Sequence, residues 1–192
     1  MMETANADQY HPCPEGRSTD NLALTRGNDA VQAALFASIS GLYITGEFSI
    51  DLMTLLSLNE ALEHLNRPNL VNLATIEDNQ PRVRCVTLFP CNGRFWVLTY
   101  QSRAKVRQLA LNKNVEINFL FIKDKYQGQI RGRGFATEVK NLAIKKTIEE
   151  EVSWFKDYWS SAEDPDFCLY DISLKTLLVQ YKGEFVTYVI ED

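Results

Sequence analysis

The feature that most constrains the fold is a succession of short strand-like segments, separated by turn signals, that fills the chain from residue 70 onward. Each segment is rich in β-branched and aromatic residues, and an Asn-Gly pair at 92–93 is typical of a tight hairpin. Seven strands are predicted, at 70–76, 81–89, 95–100, 115–122, 129–139, 168–181 and 184–190. Most of them follow one another through short turns, which favours antiparallel pairing.

Helices interrupt this succession without alternating with the strands. Apolar residues at spacings of three and four predict helices at 52–65, 102–111 and 141–160, with Ser102 placed to cap the second. This order excludes a doubly wound parallel sheet and favours an α+β fold that is mainly β: an antiparallel barrel of six or seven strands with flanking helices.

The chain divides into two unequal parts. Residues 1–50 form an N-terminal extension, which is polar at first and carries helical spacing after residue 29. Residues 42–50 favour either a strand or an arm that packs on a partner, and the pattern does not decide between them. Residues 51–192 are long enough for one domain with its own core, since 45% of the chain is apolar.

Charge and composition exclude several classes of function. The net charge of −5 argues against a general nucleic-acid-binding protein, because neutralising phosphates needs a basic face. No apolar stretch is long enough to span a membrane, and the first residues lack the pattern of a signal peptide. The four cysteines form no C-x-x-C pair, so we predict no metal site and no disulfide framework. We expect a protein of the reducing cytoplasm.

Cationic residues mark a possible phosphate site. Arg82 and Arg84 lie two residues apart on one strand and therefore point the same way. Lys105 lies in the first turn of a predicted helix, where unpaired N–H groups attract anions. The alternative, that Lys105 is simply solvated, stays open on spacing alone. The glycines of Arg131-Gly132-Arg133-Gly134 are interpreted as places of close backbone approach within a strand, not as a dinucleotide-binding loop.

Several segments, in order, resemble a known family. They are Gln80-Pro81-Arg82-Val83-Arg84, the run from Ser102 to Leu109 after Thr99, Leu111-Asn112-Lys113-Asn114-Val115, Gln129 five residues before Gly134, and Tyr181-Lys182-Gly183. Together they resemble the FMN-binding split barrels related to pyridoxamine 5'-phosphate oxidase, and they look closest to the general-stress-protein-like branch.

The resemblance implies a split barrel, FMN as cofactor and a homodimer in which the second chain completes each flavin site. By analogy with the family's motifs, the cofactor-binding residues would be Arg84, Cys85, Val86, Thr87, Thr99, Ser102, Lys105, Gln129 and Tyr181. Two departures matter. The oxidase has an arginine where this chain has Ala104, and its Arg-x-His after the glycine is absent beyond Gly183. We therefore do not expect pyridoxamine-phosphate oxidase activity.

The leading hypothesis is an FMN-dependent oxidoreductase that passes electrons to a small-molecule acceptor, with NAD(P)H as the reductant. We name no catalytic side chain, and Cys85 is interpreted as a packing residue. The alternative is a non-catalytic flavin-binding or sensor protein on the same barrel. A reductase that uses a deazaflavin cofactor is a third hypothesis. Haem would need an axial histidine, and only His11 and a predicted surface residue, His64, exist. The stripe Phe119, Phe121 and Tyr126 fits an interface or ordinary core equally well.

Overall fold

The computed structural model describes residues 55–190, so the predictions for residues 1–50 lie outside it. The helices are α1 (Leu58–Leu65), α2 (Ala104–Leu111) and α3 (Leu142–Glu151), and a 3-10 turn follows at Phe155–Asp157. The strands are β1 (Asn69–Glu77), β2 (Gln80–Cys91), β3 (Arg94–Tyr100), β4 (Asn114–Lys123), β5 (Tyr126–Glu138), β6 (Phe167–Tyr181) and β7 (Glu184–Val189). All seven predicted strands are confirmed, with shifts at their ends.

The strands form one antiparallel sheet that closes on itself. The order is β3-β2-β1-β4-β5-β6-β7, and an additional pairing joins β3 to β6. Six strands thus form a ring, and β7 extends it outward from β6. This architecture confirms the predicted antiparallel, mainly β fold with flanking helices.

Two-residue turns connect the strands of each tight hairpin. Asn92 and Gly93 both have positive φ, at 52° and 70°, which is the type I′ geometry that an Asn-Gly pair favours. The same pattern of paired positive φ recurs at Asp78-Asn79, Asp124-Lys125 and Lys182-Gly183. These turns fix the register of the strand pairs, and the register decides which side chains face the barrel interior.

The core has two parts. Inside the ring, apolar side chains from the strands pack with α1 and α2, among them the fully buried Leu73, Ile117 and Leu177. On the outer side of β3 and β6, α3 and the following turn cover a second cluster built around Phe155 and Trp159. Val106 and Leu109 of α2 are buried in the main core. This packing holds the first turn of the helix in place.

Three glycines, Gly128, Gly132 and Gly134, allow β5 to approach its neighbours closely. A Cβ at Gly134 would lie 1.9 Å from the Ser173 carbonyl oxygen, and the β5–β6 register shifts at Arg133/Gly134. At Gly132 a Cβ would lie 3.0 Å from the nearest side-chain carbons. The interpretation of this run as a strand with close backbone approach is confirmed.

The predicted helix limits were wrong in three places. The first helix begins at Leu58, after an N-cap by Ser57 that forms a capping box with Glu60. The second has Arg103 as its N-cap residue, without a side-chain hydrogen bond, so Ser102 does not cap it. The segment 141–160 is not one helix, because α3 ends at Glu151 and irregular turns follow. Within residues 55–190, no helix is long and apolar enough to cross a membrane.

Candidate functional site

The barrel is split along one edge of β2. Strand β2 pairs with β1 along most of its length, from Gln80 to Leu88. On its other side it pairs with β3 only at Phe89, Pro90 and Cys91. Among the described residues no strand covers the remaining edge, which includes Cys85, Val86 and Thr87. Backbone N–H and C=O groups on that edge are therefore available to a ligand.

Arg84 lies at this split and points to the interior side of the sheet. Its Nη1 donates to the Thr75 hydroxyl at 2.5 Å, and its Nη2 donates to Oε1 of Gln108 at 2.8 Å. The Thr75 hydroxyl donates in turn to the same Gln108 oxygen at 2.6 Å. A guanidinium has five N–H donors, so three of those on Arg84 remain for another acceptor.

The start of α2 adds a second cation beside Arg84. Lys105 is half-buried in the first turn, and the nearby positive charges of Arg84 and Arg103 act with burial to lower its pKa. In residues 55–190 no carboxylate bonds to Lys105 or to Arg84. The first turn of α2 also contains no acidic residue and no side-chain cap. Two cations and uncapped helix N–H groups thus converge without a counter-ion, which is an arrangement suited to an anion.

Burial also lowers the pKa of Arg84, while the charge of Glu77 opposes that effect. Glu77 itself bonds to two other arginines, with Arg82 at 3.1 Å and Arg107 at 3.5 Å. Arg82 is therefore engaged at the surface, although it points the same way as Arg84. Of Arg82 and Arg84, only Arg84 therefore remains available to the site.

The other residues predicted for this part of the site lie on β2, on β3 and in the turn before α2. Ser102 is exposed in the turn that leads into α2, and Arg103 stands over the Tyr100 ring at 5.7 Å. Thr99 is buried near the end of β3, where it pairs with Cys168 of β6. On β2, the side chain of Val86 faces the core, whereas Cys85 is exposed on the outer face of the sheet.

Gln129 and Tyr181 are not brought to Arg84 within one chain. Gln129 lies on the outer face of β5, where its amide donates to Asn118 at 2.8 Å. Tyr181 is buried at the far end of the barrel, and its hydroxyl donates to the Lys123 carbonyl at 3.0 Å. Glu116 of β4 pairs with Ala74 of β1, which is next to Thr75. Lys123 lies seven residues beyond Glu116 along β4, or about 23 Å away.

That far end holds a shallow depression of about 500 Å³ between α1 and the end of β4. One of its two cations, Lys123, is paired with Glu60 at 2.9 Å. His64 lines it too, but is half-buried and not at the surface as predicted: its ring stacks on Phe121 at 4.1 Å, and burial lowers its pKa. Two carboxylates, Glu60 and Glu63, line the depression together with two cations, Lys123 and Arg67, so it has no excess of positive charge.

Sequence reasoning missed Thr75 and Gln108, the two buried polar partners of Arg84. Thr75 is 1% exposed and Gln108 is 3% exposed. A signal was present. Thr75 occupies an inward position of a strand whose other inward residues, Val71 and Leu73, are apolar, and Gln108 follows Lys105 at helical spacing.

The comparison with protein families agrees with this geometry. The family model described as pyridoxamine 5'-phosphate oxidase matches residues 58–180. This match spans the whole ring, the split and the start of α2. The chain belongs to the pyridoxamine 5'-phosphate oxidase family. The resemblance found in the sequence is thereby confirmed. No curated protein matches the chain.

Solved structures share the fold of this family member. A NimC/NimA family protein from Clostridium acetobutylicum is 26% identical, with a TM-score of 0.58, covering 69% of this chain and 91% of its own. A FAD-binding protein from Mesorhizobium loti is 16% identical, with a TM-score of 0.54, covering 65% and 92%. A heme-binding protein from Mycobacterium smegmatis is 17% identical, with a TM-score of 0.54, covering 63% and 52%. The last two likenesses show the fold alone.

Proposed function

We propose that this chain binds FMN at the split and is an oxidoreductase that uses the flavin to pass electrons to a small-molecule acceptor. The observation that carries the proposal is the pair of half-buried cations, Arg84 and Lys105, to which no described carboxylate bonds. A flavin phosphate supplies the missing negative charge through charge-assisted hydrogen bonds. Ser102 and the first N–H groups of α2 complete the phosphate site.

The free edge of β2 supports the position of the flavin ring. A flat ring system with several hydrogen-bonding atoms fits beside unpaired backbone groups, and the edge at Cys85, Val86 and Thr87 offers them next to Arg84. Thr99 lies close by on β3, across the split. In this proposal Cys85 contributes its backbone, while its thiol faces away on the outer side of the sheet.

We further propose that the functional unit is a homodimer formed through the outer face of the sheet. Exposed apolar side chains lie along this face from β2 to β7: Leu70, Val83, Leu120, Ile122 and Phe185. A patch of this kind marks an interaction surface. Gln129 lies on the same face, so a second copy would bring its Gln129, and the nearby end that holds Tyr181, toward the split of the first.

The aromatic stripe Phe119, Phe121 and Tyr126 does not form one exposed surface. Phe121 is buried in the barrel core, and Phe119 packs against that core. Only Tyr126 is exposed. The apolar residues that support a dimer are those of the outer face, which alternate with the core residues along each strand.

Leu120→Glu tests the dimer directly. A charge at the centre of the face should convert a dimer to a monomer in sedimentation velocity, whereas Glu150→Gln, an exposed change on α3, should not. A wild-type protein that sediments as a monomer at high concentration would reject this part of the proposal.

When bound, FMN supplies reversible hydride and electron transfer, and the protein binds and orients it. An activity assay separates an oxidoreductase from a flavin-binding or sensor protein. Flavin-loaded protein is mixed with NADH or NADPH in the presence of a panel of artificial acceptors. Turnover above that of free FMN supports the enzyme, and tight binding without turnover favours the non-catalytic alternative. None of the three described cysteines is in a disulfide, as expected of the proposed cytoplasmic location.

A further inference from the structure

The partners of Arg84 carry information about which ligand the site takes. Thr75 and Gln108 are two of the few polar side chains buried in the described part of the chain, at 1% and 3% exposure. Buried polar groups need hydrogen bonds, and these two obtain them from each other and from Arg84. Their arrangement is therefore tied to that of the guanidinium.

The directions of these hydrogen bonds are forced. The single hydroxyl proton of Thr75 goes to Gln108 Oε1, so the hydroxyl oxygen is left to accept from Arg84. Because Gln108 Oε1 accepts from both partners, its amide nitrogen must point elsewhere. The Gln108 side chain also lowers the pKa of Glu77 by hydrogen bonding. The glutamine thus has one orientation.

Both partners of Arg84 are electrically neutral. The nearest acid, Glu77, is bonded to Arg82 and Arg107 instead. A glutamate at position 108 would have the same shape and would neutralise Arg84, at the loss of the hydrogen bond to Glu77, whereas a glutamine leaves Arg84 charged. We propose that Gln108 and Thr75 are positioning residues that orient Arg84 without neutralising it, and so keep its charge available for a phosphate group. This inference rests on the proposed function only in taking the phosphate to be that of FMN.

The test compares Gln108→Glu with Asn92→Asp, which makes the same charge change in the turn after β2, about 26 Å from Arg84 along the chain. Dissociation constants are measured for FMN, for riboflavin, which lacks the phosphate, and for inorganic phosphate. Gln108→Glu should weaken FMN and phosphate by roughly 10- to 100-fold, the value of one charge-assisted hydrogen bond, and leave riboflavin unchanged. Asn92→Asp should change none of the three.

Thr75 provides a second, uncharged test. Thr75→Val keeps the shape but removes the acceptor of Arg84, and should weaken FMN by roughly 3- to 10-fold. Thr75→Ser restores the hydroxyl and should restore the affinity. A thermal unfolding curve for each variant shows that it is folded before its affinities are compared.

The outcomes separate this inference from the proposed function. If wild type binds FMN and Gln108→Glu binds it equally well, or loses FMN and riboflavin together, the positioning role is wrong and the flavin site stands. If wild type binds phosphate but not FMN, and Gln108→Glu weakens phosphate, the inference stands and the cofactor is wrong. If wild type binds neither FMN nor phosphate, both are overturned.

Discussion

Replacing Gly134 with alanine should destabilise the barrel more than the same replacement at Gly132. The new Cβ would lie 1.9 Å from the Ser173 carbonyl oxygen and 2.8 Å from the Leu174 Cα, both backbone atoms of β6. Backbone cannot rotate away as a side chain can, so the bulge and its pairing must shift. Overpacking of this kind costs about 1–3 kcal/mol, and we expect the upper end of that range.

Gly132→Ala is the matched control. Its added Cβ would meet only the side chains of Ile117 and Leu174, each near 3.0 Å, and these can adjust by a few tenths of an ångström. We expect a cost of roughly 1 kcal/mol or less. The glycine two residues away therefore carries the same chemical change and the same loss of backbone freedom.

Thermal unfolding followed by tryptophan fluorescence measures both variants. For a domain of this size, a loss of about 3 kcal/mol lowers the melting temperature by roughly 6–12 °C. The reasoning is refuted if Gly134→Ala is as stable as wild type, or if Gly132→Ala is the more destabilised of the two.

Three further predictions follow from individual contacts. Ser57→Ala should lower the free energy of unfolding by about 1 kcal/mol in chemical denaturation, because it removes the cap of α1. Hydrogen bonds from Ser57 and Lys123 hold the pKa of Glu60 at about 2 instead of 4.5, so its contribution to stability is present above pH 4.5 and is lost as the pH falls toward 2. A pH series with Glu60→Gln should show a smaller decrease over that range than wild type does. Lys105→Met should weaken FMN by roughly 10-fold and spare riboflavin in fluorescence titration, whereas the exposed Lys113→Met should affect neither.

Most of the fold was predictable because its determinants are local. Turn residues with positive φ, such as Asn92 and Gly93, mark the hairpins in the sequence itself. Helix ends were less predictable. The 141–160 segment keeps apolar spacing through Phe155, yet α3 stops at Glu151, because Phe155 and Trp159 pack into the outer cluster and the chain turns to place them there.

Some residues of the candidate site were also predictable from the sequence, and others were not. Arg84 and Lys105 were predicted from the chemistry of phosphate binding and from family resemblance, and the structure brings them together. Thr75 and Gln108 escaped prediction since their role depends on contacts across 33 residues of chain. Gln129 and Tyr181 stay apart from Arg84 in one chain, so their proposed role depends on a second copy. No pattern within a single sequence shows such a contact.

The central claim is that the split holds FMN, and an absorbance spectrum tests it most directly. Purified protein is recorded before and after incubation with FMN and gel filtration, with Arg84→Met treated in parallel. We expect flavin bands that co-elute with wild type at the volume of a dimer and are lost or much reduced in the variant. A colourless wild type that retains no added FMN, or a haem spectrum in its place, would contradict the account.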